Sequence, residues 1–234
     1  MKRFWDEART AEAEGGFAIL LDGKPLRLPG GGTLRLPGLR LAEAVAAEWQ
    51  QAGGTKGGEM RPEEVPLTRL VGTAEERIAA ARDGTVTALA RYGETELLCY
   101  RADHGKLAAR QAELWDPWLA WAARSLDAPL RATSGIMPVS QPPHALAALR
   151  RAVERHSVLG LAALGVAVPA LGSLVLGLAV TGGHLDPAEA HRLSTLEEVH
   201  QEALWGADPE NLAKRAAAAA DVALAARLVQ LSAG

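Results

Sequence analysis

The chain contains a run from Val158 to Thr181 without a single charged side chain, and this run must be buried in protein or in lipid. About 20 apolar residues are enough to span a bilayer. This run, however, contains Pro169 and Gly172-Ser173, and it has no flanking Trp or Tyr anchors. We therefore predict two buried helices that meet at a Pro/Gly turn. A membrane-associated scaffold is the alternative that the run leaves open.

The charge and cysteine content exclude several classes of protein. The formal net charge is −3 with a pI of about 6.1, and a nucleic-acid-binding protein would instead show a basic face or stripe. Cys99 is the only cysteine, which excludes an internal disulfide and argues against a thiolate metal cluster. The opening residues form neither a secretory signal nor a transit peptide. These observations predict a cytoplasmic protein without a cofactor.

The first part of the chain has the pattern of short strands. Residues 17–21 form an apolar run that ends at Asp22-Gly23, a dipeptide typical of hairpin turns. Residues 24–28 and 33–36 alternate between apolar and polar side chains. The pattern predicts a small twisted sheet.

A helical pattern follows the predicted strands. Leu41, Val45 and Trp49 form one apolar stripe, and a glycine-rich polar segment comes directly after them. We therefore predict an α+β fold with a β-rich N-terminal domain at residues 1–58, including one helix, and a larger, mainly helical domain at residues 59–234.

The chain after residue 58 is mainly helical in pattern. Predicted helices cover residues 65–81, 85–91, 104–126, 145–166, 170–181, 186–205 and 208–231. Pro117 predicts a kink or a junction within the third of these. Asp186-Pro187 and Asp208-Pro209 are typical helix starts, with an Asp cap and Pro at the first helical position.

No complete catalytic motif is present in the sequence. Residues 53–58 are glycine-rich but lack the spacing and the Lys-Ser/Thr ending of a phosphate-binding loop. Glu197 and His200 form one Glu-x-x-His pair, whereas di-iron bundles use two. We predict no catalytic residue and no metal site. A metal- or cofactor-dependent enzyme that uses this helical carboxylate cluster is a further alternative.

The same helix carries a second cluster. Gln201 and Trp205 are four residues apart, and Glu198 and Glu202 lie beside them on the same side of the predicted helix. A charged helix face is often simply solvated, but a Trp beside a carboxylate is also typical of a protein-binding site. The residues alone leave both interpretations open.

Several blocks of sequence, in order along nearly the whole chain, resemble one known family. They include KRFW from Lys2, GGFAILLDGKPLRLP over residues 15–29, RYGETELLCYRA over 91–102, RQAELWDPWLAW over 110–121 and LEEVHQEALWG over 196–206. The chain resembles the assembly chaperones that bind the α subunit of the F-type ATP synthase catalytic head in mitochondria and α-proteobacteria.

This resemblance implies a function and a set of residues. It implies a non-enzymatic chaperone, a monomer when free, that holds the unassembled α subunit soluble until the β subunit replaces it, with no nucleic-acid partner and no stable insertion in a membrane. By position, the implied client-binding residues are Glu198, Gln201, Glu202 and Trp205. Matching positions that we interpret as structural are Trp49, Trp115, Asp116 and Pro117.

Overall fold

An antiparallel meander opens the computed structural model, which describes residues 1–135 and 137–233. Strand β1 (Ala8–Ala13) pairs with β2 (Gly16–Leu21), and β2 pairs with the two-residue strand β3 (Lys24–Pro25). The predicted turn between β2 and β3 is present, with positive φ at both Asp22 (47°) and Gly23 (79°).

The sequence-based prediction for this sheet is wrong in two places. It missed β1, whose sequence ARTAEA lacks the large apolar residues that predict a strand. The strand predicted at 24–28 is reduced to the two residues of β3. Residues 33–36 form isolated bridges instead of a strand, Thr33 with Arg27 and Leu36 with Phe17. Pro25 has no N–H to donate, but Leu26 N–H beyond it still donates to the Ile19 carbonyl at 2.8 Å.

Helix α1 (Leu39–Gln51) packs the predicted apolar stripe into the core. Leu41 and Val45 are fully buried, and Trp49 is 7% exposed. The Trp5 indole Nε1 donates a hydrogen bond to the Trp49 carbonyl oxygen at 3.0 Å, and the two rings lie 5.0 Å apart. The start of the chain is thereby fixed against α1.

A buried carboxylate joins α1 to the next helix, α2 (Pro66–Thr73). Glu48 accepts hydrogen bonds from the backbone N–H groups of Leu67 (2.9 Å) and Thr68 (3.2 Å), so it caps the N-terminus of α2. Burial raises the pKa of Glu48. A π-helical turn, Ala74–Ile78, follows α2.

The structure divides into two compact units, one of Met1–Ala81 with the chain from Arg227 onward, and one of Arg82–Ala226. The boundary predicted after residue 58 falls inside the first unit, because the Glu48 cap ties α2 to α1. That residues 1–58 form a domain of their own stays a prediction.

The second unit is built from helices, which continue the α+β architecture predicted from the sequence. They are α3 (Arg82–Ala90), α4 (Gly105–Ser125), α5 (Pro143–Glu154), α6 (Val158–Leu171), α7 (Leu174–Thr181), α8 (Pro187–Ser194), α9 (Leu196–Trp205) and α10 (Pro209–Ser232), whose last residues belong to the first unit. Two short parallel strands, β4 (Tyr100–Arg101) and β5 (Thr133–Ser134), accompany them.

The helices of the structure differ from the predicted ones in three places. The helix predicted at 145–166 is two helices, because the Ser157 side chain accepts a hydrogen bond from Gly160 N–H and begins α6. The helix predicted at 186–205 is interrupted at Thr195. Pro117 lies inside one continuous helix, α4, and is not a junction.

The uncharged run forms α6 and α7, the two buried helices predicted for it. Pro169 lies inside α6, and the turn is made by Gly172, whose φ of 62° is in the left-handed region that favours glycine. In the described part of the chain, no helix has the length and apolarity needed to cross a membrane.

The N-terminus of α7 is bound by Glu96, a residue that the sequence analysis did not single out. Glu96 is 0% exposed and accepts hydrogen bonds from the Ser173 hydroxyl and from the N–H groups of Leu174 (2.9 Å) and Val175 (3.2 Å). Burial raises the pKa of Glu96 to about 7 despite these donors.

This raised pKa predicts a pH-dependent stability. Between pH 4.5 and about 7 the folded protein holds the Glu96 proton while the unfolded chain has lost it. Stability contributed by protonated Glu96 is therefore lost as the pH rises through this window, by about 3 kcal/mol in total. We expect Glu96→Gln to remove this slope. Chemical denaturation of both proteins at a series of pH values measures it, and parallel curves would show that Glu96 is ionised throughout.

Candidate binding groove

Helices α9 and α10 form a hairpin that presents the predicted site. Gly206 ends α9 with a φ of 91°, a left-handed conformation that a residue with a side chain rarely adopts. Asp208 then accepts a hydrogen bond from Glu210 N–H at 3.0 Å and caps α10. The chain therefore reverses within a few residues, and the two helices enclose a groove.

Helix α9 is unusual because none of its residues is buried. Trp205 is 79% exposed, Leu204 61% and Val199 49%. Large apolar side chains grouped on an exposed helix are typical of surfaces that bind another protein.

The structure brings all four predicted client-binding residues together. Glu198, Gln201, Glu202 and Trp205 line one groove of about 440 Å³. The other lining residues are Ala170, His191, Thr195, Gly206, Asp208, Asn211, Lys214, Arg215 and Ala218. The sequence analysis missed the residues that α10 contributes, although Asn211, Lys214 or Arg215, and Ala218 follow a helical spacing that could have indicated a shared face.

An ion pair crosses the groove. Arg215 donates to the Glu202 carboxylate at 2.8 Å, and the two side chains are only 17% and 19% exposed. Such a partly buried pair is held more firmly than one on the open surface. Glu202 therefore fastens α9 to α10.

Glu198 has a different environment from Glu202. Its side chain is exposed, and within the described residues it forms neither an ion pair nor a hydrogen bond. It lies in the first turn of α9, not in the middle of the longer helix that the sequence predicted. Gln201, the next residue along this face, donates to Glu197 at 3.2 Å. The Glu198 carboxylate is thus free to meet a group on another molecule.

His191 forms part of the groove wall. Its Nε2 atom is buried and has no hydrogen-bond partner among the described residues. Burial is the main cause that lowers the pKa of His191, while the Glu198 charge acts in the opposite direction. His191 is accordingly neutral at pH 7 and adds no charge to the groove.

The positions that we interpreted as structural lie outside this groove. Trp115 is 1% exposed and donates from Nε1 to the Leu193 carbonyl at 2.9 Å. Asp116 accepts from the Arg101 guanidinium at 2.7 Å, and Pro117 is exposed on α4. Trp49 donates from Nε1 to the Thr68 hydroxyl at 2.9 Å in the first unit.

The geometry of the described residues does not support the alternative of a metal-dependent enzyme. Among the described residues, no group of three or more His, Cys, Asp or Glu side chains is arranged to hold a metal ion. Glu197 and His200 remain a single pair, and structural and catalytic metal sites need more protein ligands than two.

The fold is similar to three solved structures. The crystal structure of Atp12 from Paracoccus denitrificans has 43% sequence identity and a TM-score of 0.93, with 99% of this chain and 98% of that chain covered. A mutant of P. denitrificans Atp12p gives the same identity and TM-score, with 99% and 97% covered. The Atu1473 protein from Agrobacterium tumefaciens has 36% identity and a TM-score of 0.91, with 98% and 85% covered.

Sequence comparison agrees with the structural likeness. The family model described as ATP12 chaperone protein matches residues 2–123. The mitochondrial protein atp12 of Schizosaccharomyces pombe is 27% identical over 217 residues, which cover 88% of this chain and 74% of that protein. The fold is thus that of a chaperone, and the chain belongs to the ATP12 chaperone family. The resemblance to the ATP synthase assembly chaperones is confirmed.

Proposed function

We propose that this protein binds the unassembled α subunit of the ATP synthase catalytic head and holds it until the β subunit replaces the chaperone. It acts by binding alone, without catalysis, as a cytoplasmic monomer that forms a one-to-one complex with its client. The observation that carries the proposal is the groove between α9 and α10, where the exposed Trp205 lies beside the unpaired carboxylate of Glu198.

The exposed apolar side chains provide the affinity. An α subunit without its neighbours exposes the apolar surfaces that pair within the ring, and such surfaces aggregate. A tryptophan with an exposed ring is a typical anchor for a partner's pocket. Trp205 and Leu204 would therefore cover client surface that otherwise joins another α subunit.

The carboxylate provides the specificity. A charge at the edge of an apolar contact selects a partner with a matching donor and repels a wrong one. Glu198 has no competing donor within the described residues, whereas Glu202 is occupied by Arg215. We therefore assign the contact with the client to Glu198 and a positioning role to Glu202.

Purified α subunit, diluted from denaturant, tests the proposal by light scattering. We expect an equimolar amount of this protein to suppress aggregation and to form a one-to-one complex by size-exclusion chromatography with light scattering. Addition of the β subunit should release the α subunit. If α aggregates at the same rate with and without the protein while β is protected, the client is wrongly assigned.

A further inference from the structure

A second groove, of about 550 Å³, lies in the first unit, on residues that the proposed function does not use. It runs between the segment after β3 and the helical residues of α2 and the π-helical turn. Its lining residues are Arg27, Leu28, Pro29, Trp49, Thr68, Arg69, Gly72, Thr73, Glu76 and Arg77. The volume is within the range of about 300–1,000 Å³ that is usual for ligand sites.

Three of the lining residues carry unpaired positive charge. Arg27, Arg69 and Arg77 are exposed, and none of them forms an ion pair with another residue in the part of the chain that the structure describes. Some other arginines form ion pairs on the surface, such as Arg110 with Glu113. Arg27 donates only a long hydrogen bond of 3.4 Å to the Gly31 carbonyl. The three guanidinium groups give the groove a positive charge, although the chain as a whole has a net charge of −3.

The one acidic lining residue does not neutralise this groove. Glu76 accepts a hydrogen bond from Gly30 N–H at 2.7 Å, so its carboxylate is engaged with the backbone of the opposite segment. With three arginines against one glutamate, the groove keeps a net positive charge. An anionic ligand is therefore favoured.

The floor of the groove is apolar and held in place. Leu28 and Trp49 are each 7% exposed. Gly72 allows the two sides to approach, since a Cβ added there would lie 3.1 Å from a Leu28 methyl carbon. The Glu48 cap and the bond from Trp49 to Thr68 fix the start of α2. The fixed backbone places the Cα atom of Arg69 at the edge of the groove before a ligand binds.

We infer that this groove binds an acidic, extended segment of a partner protein. Two carboxylates of the segment would accept paired hydrogen bonds from the guanidinium groups, the geometry that arginine offers to carboxylates. An apolar side chain between them would cover the Leu28 and Trp49 floor. A nucleic acid is disfavoured because the acidic chain as a whole repels a polyanion.

Fluorescence anisotropy tests this inference with a labelled peptide that alternates Glu and Leu over eight residues. We expect the full-length protein to bind it, and Arg69→Glu with Arg77→Glu to weaken binding by about tenfold or more. The matched control is Lys24→Glu with Arg40→Glu, which reverses the same amount of charge at exposed positions of the same unit outside the groove. The control should bind like the unchanged protein.

Additional variants and ligands in the same assay distinguish an acidic peptide from other anions. The milder pair Arg69→Gln and Arg77→Gln repeats the test if the charge reversal unfolds the protein, as thermal melting would show. A peptide with Gln in place of Glu should bind at least about tenfold more weakly. Equal binding by groove and control variants would overturn the inference. Tighter binding of inorganic phosphate or of a single-stranded oligonucleotide at Arg69 and Arg77 would also overturn it.

Discussion

Glu198→Lys is expected to abolish protection of the ATP synthase α subunit while the chaperone stays folded. Glu198 is exposed and has no partner among the described residues, so its reversal should change the free energy of unfolding by under about 1 kcal/mol. Replacing an attractive contact with the client by repulsion costs about 2–5 kcal/mol of binding free energy, or roughly 30-fold or more in affinity. Light scattering of aggregating α subunit and thermal melting of the variant measure the two effects separately.

Glu197→Lys is the matched control for this experiment. Glu197 lies in the same first turn of α9, so both changes disturb the helix dipole alike, but Glu197 does not line the groove. Glu197→Lys removes the hydrogen bond that Gln201 donates to Glu197, but it leaves the Gln201 amide exposed at the groove. The variant should therefore retain protection. Loss of protection in both variants would assign the effect to the charge of α9 as a whole, and loss with a collapsed melting temperature would make Glu198 structural.

Trp49→Arg is expected to unfold the first unit. The indole is 7% exposed, lies 5.0 Å from the Trp5 ring at a tilt of 54° and donates to the Thr68 hydroxyl. Replacing it removes a buried aromatic and leaves a charge without a partner, at a cost of about 3–5 kcal/mol or more. This is a large share of the 5–15 kcal/mol that typically stabilises a protein of ordinary size. Chemical denaturation followed by circular dichroism measures the loss.

Trp205→Arg provides the comparison for that variant. The chemical change is identical, but Trp205 is 79% exposed and no residue of α9 is buried. We expect Trp205→Arg to melt like the unchanged protein and to protect the α subunit poorly. If Trp49→Arg also melts normally, the first unit does not depend on its tryptophan core.

The sequence predicted the elements whose signal is local. The apolar stripe of α1 follows from periodicity, and the turn after β2 follows from its Asp-Gly dipeptide. The two buried helices follow from an uncharged run that is divided by Pro and Gly residues. The missed elements have no such signal. Strand β1 is mostly polar and small, and the break at Thr195 carries neither Gly nor Pro.

The sequence predicted the residues that α9 contributes to the groove but not those that α10 contributes. Glu198, Gln201, Glu202 and Trp205 share one helix, so their spacing alone groups them. Arg215 lies 13 residues from its partner Glu202, and only the hairpin brings them together. Glu96 was missed for the same reason, since its donors at Ser173, Leu174 and Val175 are more than 70 positions away along the chain.

The exposure of α9 has a consequence for how such a chaperone can evolve. Because none of its residues is buried, a substitution on α9 has little effect on the stability of the rest of the protein. The exception is Glu202, whose ion pair with Arg215 connects α9 to α10. Mutations that match a changing client can therefore accumulate there one at a time, without a compensating change in the core.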